Sequence, residues 1–410
     1  MDQILKDIEQ KSLEILLTNR RQTDGFQYTI PSPQTYPYQW LWDSCFHAII
    51  LSYFNPEDAK KEILALVSKQ FENGMIPHMI YWQKGDVINL NWGKDGTSSI
   101  TQPPMLAYAV WEIFKKDHDK KFLEVMYPHL YHFYNYLLTD RDPRKNYLIG
   151  IINPDESGED NSPRFDIPLG LPPQHTLDEN TKRRYKLIDE NLTCNFDAPF
   201  CMKNFFWVKD VPFNAIFVEN LRVLVLIADQ LGLKDDALNF QQQQLEVTKA
   251  MREKMFEDGL FWSTYGEDYK KIKVVTWAIF IPLFAKILSQ EEAVDLVNNH
   301  LLNPDEFWCE FPIPTVALNE PSFDPEGFWR GPTWIAVNWF IFKGLLNYGL
   351  TEPAEKIMRT SIELITQSGF REQFNPLNGK GSGAYDFTWG ALVIDMIKSF
   401  ETPIGEKSLI

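Results

Sequence analysis

Trp40-Leu-Trp-Asp-Ser-Cys-Phe-His-Ala-Ile-Ile-Leu-Ser-Tyr-Phe54 is followed by Asn55-Pro56-Glu57 and then by Asp58-Ala-Lys-Lys-Glu-Ile-Leu-Ala-Leu-Val-Ser-Lys-Gln-Phe-Glu72. The first run is apolar almost all round, which predicts a buried helix. The second carries a single apolar stripe, which predicts a helix lying outside it. Asn55 offers a cap and Pro56 suits a first helical turn, so the pair reads as one αα-hairpin. The alternation continues in both directions. Residues 3–18 set Ile4, Leu5, Ile8, Leu13, Leu16 and Leu17 on one face ahead of the apolar run. Downstream come 101–116 with 118–139, 209–231 with 235–255, 274–287 with 289–301, 332–347 with 351–367, and a last helix over 386–399. About twelve helices that alternate in this way describe an all-α fold, an (α/α)6 barrel with inner and outer rings and long loops at one rim. The repeat is one of pattern, not of identity. A polar stretch, 140–206, holds one inserted helix near 177–192. Strand signals are local, as at Lys271–Val275. No linker rich in Gly, Ser or Pro divides the chain, so residues 1–410 read as a single domain.

Composition narrows the function classes. Hydrophobic residues make up 44% of the 410, enough for a large core. The net charge of −16 argues against a nucleic-acid partner, whose phosphates would be repelled. The 13 Trp exceed what a core needs, and aromatic faces pack well on pyranose rings. The N-terminus reads as a charged amphipathic helix and no uncharged run reaches membrane-spanning length, so a cytoplasmic protein without a membrane partner is expected. Cys45, Cys194, Cys201 and Cys309 form no Cys-x-x-Cys pair and are expected as reduced, mostly buried thiols. No cofactor or metal is expected. The Gly379–Ala384 run follows no βαβ unit and reads as a flexible turn. The acidic run 155–160 lacks the glycine of a calcium loop, and no His/Cys cluster occurs.

Chemistry concentrates in two polar loops. Asn153-Pro-Asp-Glu-Ser-Gly-Glu-Asp-Asn-Ser-Pro-Arg-Phe-Asp166 is packed with carboxylates, and Phe370-Arg-Glu-Gln-Phe-Asn-Pro376 lies some two hundred residues later. Two acidic loops on a rigid helical frame suit acid/base cleavage of a glycosidic bond. Asp160 is expected as the acid and Glu372 as the base. Asp155, Glu156, Glu159 and Asp166 are expected to supply charge that raises the acid's pKa. Trp40, Trp42 and Asp43 open the second helix and Gln102 the fourth, Trp329 and Trp334 flank the start of the tenth, and Tyr385 and Asp386 precede the twelfth. All are expected to converge on one mouth. Arg330 is expected to be structural, paired to an acidic loop.

These motifs resemble a known family. Trp-x-Trp-Asp, Glu-Ser-Gly-x-Asp-Asn-Ser-Pro, Phe-Trp-Arg-Gly-Pro-Thr-Trp and Gly-x-Gly-Ala-x-Asp-Phe-x-Trp, in this order between about residues 25 and 398, are similar to glycoside hydrolase family 63 and related inverting (α/α)6 α-glycosidases, most of all the short mannosylglycerate and glucosylglycerate hydrolases. The resemblance implies that Asp160 is the general acid and Glu372 the general base. It implies substrate contacts at Tyr36, Trp40, Trp42, Asp43, His78, Gln102, Phe328, Trp329 and Trp334. Phe328 stands where these relatives carry Tyr, and a tyrosine expected within 81–100 has no clear counterpart. A glycerate carboxylate would need a cation. Lys182, Arg183 and Arg184 are the candidates, and Arg184 is preferred by its place before Tyr185. The expected activity is inverting hydrolysis of a small α-glucosyl or α-mannosyl compound such as a glycosylglycerate. The alternatives are an α-glucosidase for di- or oligosaccharides, a sugar epimerase or lyase, and a silent sugar-binding protein.

Overall fold

A computed structural model describes residues 2–82 and 92–401. Within them the α-helices are α1 (Asp2–Thr18), α2 (Leu41–Leu51), α3 (Pro56–Val67), α4 (Leu106–Asp117), α5 (Lys120–Asp140), α6 (Leu177–Thr193), α7 (Ala198–Asn204), α8 (Val211–Leu231), α9 (Lys234–Met255), α10 (Ile281–Phe284), α11 (Gln290–Leu296), α12 (Ile335–Asn347), α13 (Thr351–Ser368) and α14 (Val393–Glu401). Strands are short; some form local hairpins, whereas Gln39–Trp40 pairs with Met79–Ile80 and Val208–Lys209 with Thr264–Tyr265 across intervening helices. The protein is mostly helical.

Sequence sets the helix ends. Asn55 accepts a hydrogen bond from the Glu57 N–H at 3.1 Å, and Pro56 occupies the first turn of α3. Thr176 with Glu179 and Ser289 with Glu292 form reciprocal capping boxes at the starts of α6 and α11. Gly232 takes φ +80° and ends α8. Prolines shorten other elements. The expected helix over 101–116 begins only at Leu106, because Pro103 and Pro104 disfavour helical backbone before them. Gln102 therefore stands in extended chain ahead of the helix it was expected to open. The expected helix over 274–287 is a single 3-10 turn, Trp277–Ile279, and the four-residue α10. Pro282 fixes its first turn, Lys286 takes φ +54°, and the Asn347 amide donates to the carbonyls of Leu283 and Phe284 at 3.2 and 3.0 Å.

Every residue of α2 is buried, and α8 and α12 are nearly so. These apolar helices pack in succession, α2 on α4, α4 on α8, α8 on α10 and α10 on α12. Helix α12 packs on α14 and on the turn Thr388–Leu392, and both return to α2. The amphipathic α3, α5, α9 and α13 pack on α2, α4, α8 and α12. One apolar cluster runs from Ile8 to Ile397. A smaller cluster, with Tyr38, Trp40, Met79, Trp92, Ile188 and Trp207, seats α6 and α7 on the loops at one end. Helix α8 has the length and apolarity of a membrane span, but 83% of its most apolar window is buried inside the protein.

Close approach between α12 and α10 depends on Gly344. A Cβ there would lie 2.7 Å from Leu283 Cβ and 2.9 Å from the Phe284 nitrogen. Gly344→Ala should destabilise the fold by about 1–3 kcal/mol, despite the better helix propensity of alanine. A urea midpoint equal to or above that of the parent would show that the contact yields freely.

Candidate active site

The N-terminal ends of α2 and α12, with the loop before α4 and the turn Thr388–Leu392 ahead of α14, border a cavity of about 410 Å³. All twelve expected residues line it. Asp160 and Glu372 do so from the two polar loops, and Tyr36, Trp40, Trp42, Asp43, His78, Gln102, Arg184, Phe328, Trp329 and Trp334 complete the group. Tyr385 and Asp386 do not. Tyr385 is 64% exposed and lies under the Arg371 guanidinium, outside the cavity.

The acidic loop is a charge-paired wall, not a solvated bulge. Glu156 is fully buried and takes two hydrogen bonds from Arg141, at 2.7 and 2.5 Å, plus the backbone N–H groups of Thr101 and Ile152. Arg164 grips Glu159 at 2.8 and 3.0 Å and reaches Asp210 at 3.2 Å, while the Trp277 indole donates to Glu159 at 2.7 Å. Arg330 holds Asp166 bidentately at 3.0 and 2.8 Å, the structural role expected of it. Asn161 accepts from the Trp329 N–H at 3.0 Å and so ties this loop to the aromatic one. Of the four neighbours expected to raise the Asp160 pKa, Asp155 is the one among its leading causes; Glu156, Glu159 and Asp166 are paired with arginines other than Arg184. The largest cause of the upward shift at Asp160 is burial. Arg184, 2.5 Å away, opposes it.

Glu372 sits in a hairpin, Arg371–Phe374 paired with Gly381–Tyr385. Of the glycine run 379–384, expected as a flexible turn, Gly381–Ala384 is therefore strand, and a contact requires a glycine in it. A Cβ on Gly383 would stand 2.3 Å from Glu372 Oε2, and the residue takes φ +71°. Glu372 Oε2 accepts from the Ala384 N–H at 2.8 Å, and Oε1 accepts from the Tyr36 hydroxyl at 2.5 Å. Burial raises the Glu372 pKa, these two donors lower it, and the charge of Asp160 adds to the rise. Burial and Glu372 together push the Tyr36 hydroxyl far above its ordinary value, so Tyr36 stays a donor.

Aromatic rings form the walls. Trp329 and Trp334 stack at 3.8 Å and 6°, and Trp42 meets Trp389 edge-on at 5.1 Å. Gly158, at φ +73°, lets the acidic loop touch the Trp42 ring, since a Cβ would fall 2.3 Å from it. Asp43 lies inside α2 and is not its N-cap. It accepts from the Trp389 indole at 2.6 Å, and burial lifts its pKa to about 6. His78 contacts Ser98 Oγ at 2.6 Å through Nδ1 and is pushed down to about 4 by burial, so it is neutral near pH 7. Gln102 accepts from the Trp42 N–H at 3.4 Å. Of the three candidate cations only Arg184 reaches the cavity. Arg183 pairs with Glu190 and Lys182 with Asp178. Residues 83–91, within the stretch where a further tyrosine contact was sought, lie outside the described residues.

Sequence reading missed several lining residues. Leu177, Thr181 and Tyr185 share the α6 face that carries Arg184, a spacing of four that could have flagged them. Trp389 closes the last motif and holds Asp43, whereas in that region the sequence reading singled out Tyr385 and Asp386. The thiol expectation also needs correction. The sulfurs of Cys194 and Cys201 are bonded, because the turn between α6 and α7 brings their Cα atoms to 6.8 Å. Cys45 and Cys309 are free. Among the described residues one carboxylate group, Glu57 with Asp117 and Asp119, has ligand-like spacing. Lys60 Nζ fills it, at 2.7, 2.6 and 2.7 Å.

Asp43 carries a stability cost that depends on pH. Its folded pKa lies above the unfolded value, so stability falls as pH rises from about 4 to about 6. Asp43→Asn should stabilise the protein at pH 7 by about 1–3 kcal/mol, and the gain should vanish near pH 4. Urea midpoints at the two pH values check this, and a gain independent of pH would contradict it.

Comparison with known proteins agrees with this geometry. Residues 36–390 match the mannosylglycerate hydrolase MGH1-like glycoside hydrolase domain. Among relatives, a mannosylglycerate hydrolase of Thermus thermophilus is 31% identical over 93% of this chain and 98% of its own length. A glucosylglycerate hydrolase of Mycolicibacterium hassiacum is 27% identical over 89% and 93%. The crystal structure of the GH63 mannosylglycerate hydrolase from a second Thermus thermophilus strain, in complex with Tris and D-glycerate, superposes with a TM-score of 0.87. It is 30% identical and covers 95% of this chain and 100% of its own. A chain that shares a family domain over most of its length, and a fold at this level, is a member of that family: the protein is a glycoside hydrolase of the MGH1-like group of family 63.

Proposed function

We propose that the protein is an inverting α-glycosidase, built as a single (α/α)6-barrel domain, that hydrolyses a small α-glucosyl or α-mannosyl compound with a carboxylate on its leaving group, most simply glucosylglycerate or mannosylglycerate. Asp160 protonates the glycosidic oxygen. Glu372 takes a proton from the water that attacks the anomeric carbon. Inversion of this kind uses carboxyls about 6.5–9.5 Å apart. The observation that carries the reading is that Asp160 and Glu372, far apart in sequence, border one cavity walled by tryptophans. Their surroundings support the division of roles. Burial raises the pKa of both carboxyls; at Asp160 the charge of Asp155 adds to the rise and Arg184 opposes it, whereas at Glu372 the donors from Tyr36 and Ala384 oppose it. The sugar would rest against Trp42, Trp329 and Trp334, with Asp43 as acceptor for its hydroxyls. Arg184 at the cavity favours an acidic leaving group over an oligosaccharide. A cytoplasmic location belongs to the same reading and is opposed by the Cys194–Cys201 bond, a linkage rare in that compartment.

Asp160→Asn and Glu372→Gln should each lower kcat by about 10²–10⁴-fold on glucosylglycerate or mannosylglycerate while the fold is retained. Proton NMR of early product should show the β-anomer first. Near-parental turnover in either variant, or the α-anomer first, rejects the assignment. Gly383→Ala should cut kcat by about 10-fold or more by displacing the Glu372 carboxylate. Gly349→Ala is its control, since that residue has a similar φ of +70° and open space around it, and it should affect stability alone.

A further inference from the structure

Asp155 and Asp160 share one cation. Arg184 Nη2 lies 2.8 Å from Asp155 Oδ1 and 2.5 Å from Asp160 Oδ2. Arg184 Nε is buried without a hydrogen-bond partner, and so is Asp155 Oδ2. The other arginines of this wall are engaged elsewhere, Arg141 with Glu156, Arg164 with Glu159 and Asp210, and Arg330 with Asp166. The remaining ionisable neighbours are acidic, phenolic or neutral. Glu372, Tyr36 and Asp43 share the cavity with Asp160, His78 neighbours Asp155, and Tyr185 neighbours Arg184. No second cation on the cavity wall replaces Arg184 beside Asp160, among the described residues.

A general acid must enter the reaction protonated, yet a guanidinium at contact distance holds a carboxyl ionised. We propose that Arg184 is a positioning residue that sets the protonation of Asp160 according to the occupant of the cavity. In the empty site it keeps Asp160 ionised. A carboxylate on the leaving group engages the guanidinium, Asp160 takes one proton from solvent, and that proton passes to the glycosidic oxygen as the C–O bond breaks. With Arg184 drawn to the substrate, burial and the charge of Asp155 both favour the neutral acid. An uncharged leaving group has no such claim on Arg184 and meets an ionised, incompetent Asp160. Selectivity for acidic glycosides then appears in the chemical step and not only in binding.

The inference rests on the assignment of Asp160 as acid, but its test needs no turnover. D-glycerate binding is measured by calorimetry at neutral pH in buffers of different ionisation enthalpy. The wild-type protein should take up about one proton per glycerate bound. Asp160→Asn should bind glycerate with no uptake, and Arg184→Gln should lose most of the affinity. Glycerate binding without proton uptake, equal uptake in Asp160→Asn, or no glycerate binding to the wild-type protein overturns the switch. A kinetic readout separates it from a simple anchor. With the glycerate-bearing substrate the alkaline limb of kcat should lie at higher pH than that of kcat/KM. In Arg184→Gln the two limbs should coincide at the higher position. A higher KM with unmoved limbs would leave Arg184 as an anchor and reject the switch. Near-parental turnover by Asp160→Asn would sink the assignment of Asp160 as the acid, whereas a strongly impaired Asp160→Asn with no proton uptake in the wild-type protein sinks the switch alone.

Discussion

Fourteen residues, 153–166, carry five carboxylates, and they form an ordered wall only because arginines meet them. Arg141 on Glu156 and Arg164 on Glu159 are buried, bidentate and supported by backbone or indole donors. Removing one partner of such a pair typically costs about 3–5 kcal/mol, since the other charge is left unmatched in a poorly polarisable interior. The loop is therefore pinned on both sides of Asp160, by Glu156 and Glu159 before it and by Asp166 after it. Between those pins the chain has no freedom to swing the carboxyl away from the cavity. Arg330 on Asp166 and Asn161 on the Trp329 backbone extend the same fastening to the aromatic loop.

The helices contribute direction, and two glycines contribute proximity. Apolar helices packed in a circuit bring their first turns to one end, where α2 and α12 present Trp42, Asp43 and Trp334. Gly158 then admits the Trp42 ring against the acidic loop, and Gly383 admits the Glu372 carboxylate against its own hairpin. Both residues sit at positive φ, where a side chain would add strain to the clash. Asp43 shows the opposite trade. A carboxyl with 4% exposure inside an apolar helix lowers stability at neutral pH, and contact with the cavity is the reason a folded chain would keep it.

Periodicity made the helical circuit legible, because an apolar run followed at once by a striped run leaves few packing solutions. The same signal failed at 274–287, where Pro282 and the left-handed Lys286 cut a helical-looking run to a single turn. Motifs, the family resemblance and, for Arg184, the need for a cation picked out twelve residues that all line one cavity, since these signals mark residues that chemistry, not packing, selects. What stayed hidden was pairing across long sequence distance. Nothing near Glu156 announces Arg141, and nothing near Asp43 announces Trp389. Composition could not foresee the Cys194–Cys201 bond either, which depends on the tight turn between α6 and α7.

In the proposed mechanism the two carboxyls must behave oppositely, and loss of hydration alone cannot separate them because it raises both. Their hydrogen-bond partners can. Glu372 receives a hydroxyl and a backbone N–H, both neutral donors. These fixed donors oppose the upward push of burial on Glu372, in the direction a base requires. Asp160 instead meets a full positive charge on a side chain of α6, a helix inserted among the loops and not part of the apolar circuit. A charge on a long side chain can be drawn toward a new partner, whereas a backbone donor cannot. The base therefore takes its protonation state from the fold, and the acid takes its state from whatever Arg184 is touching.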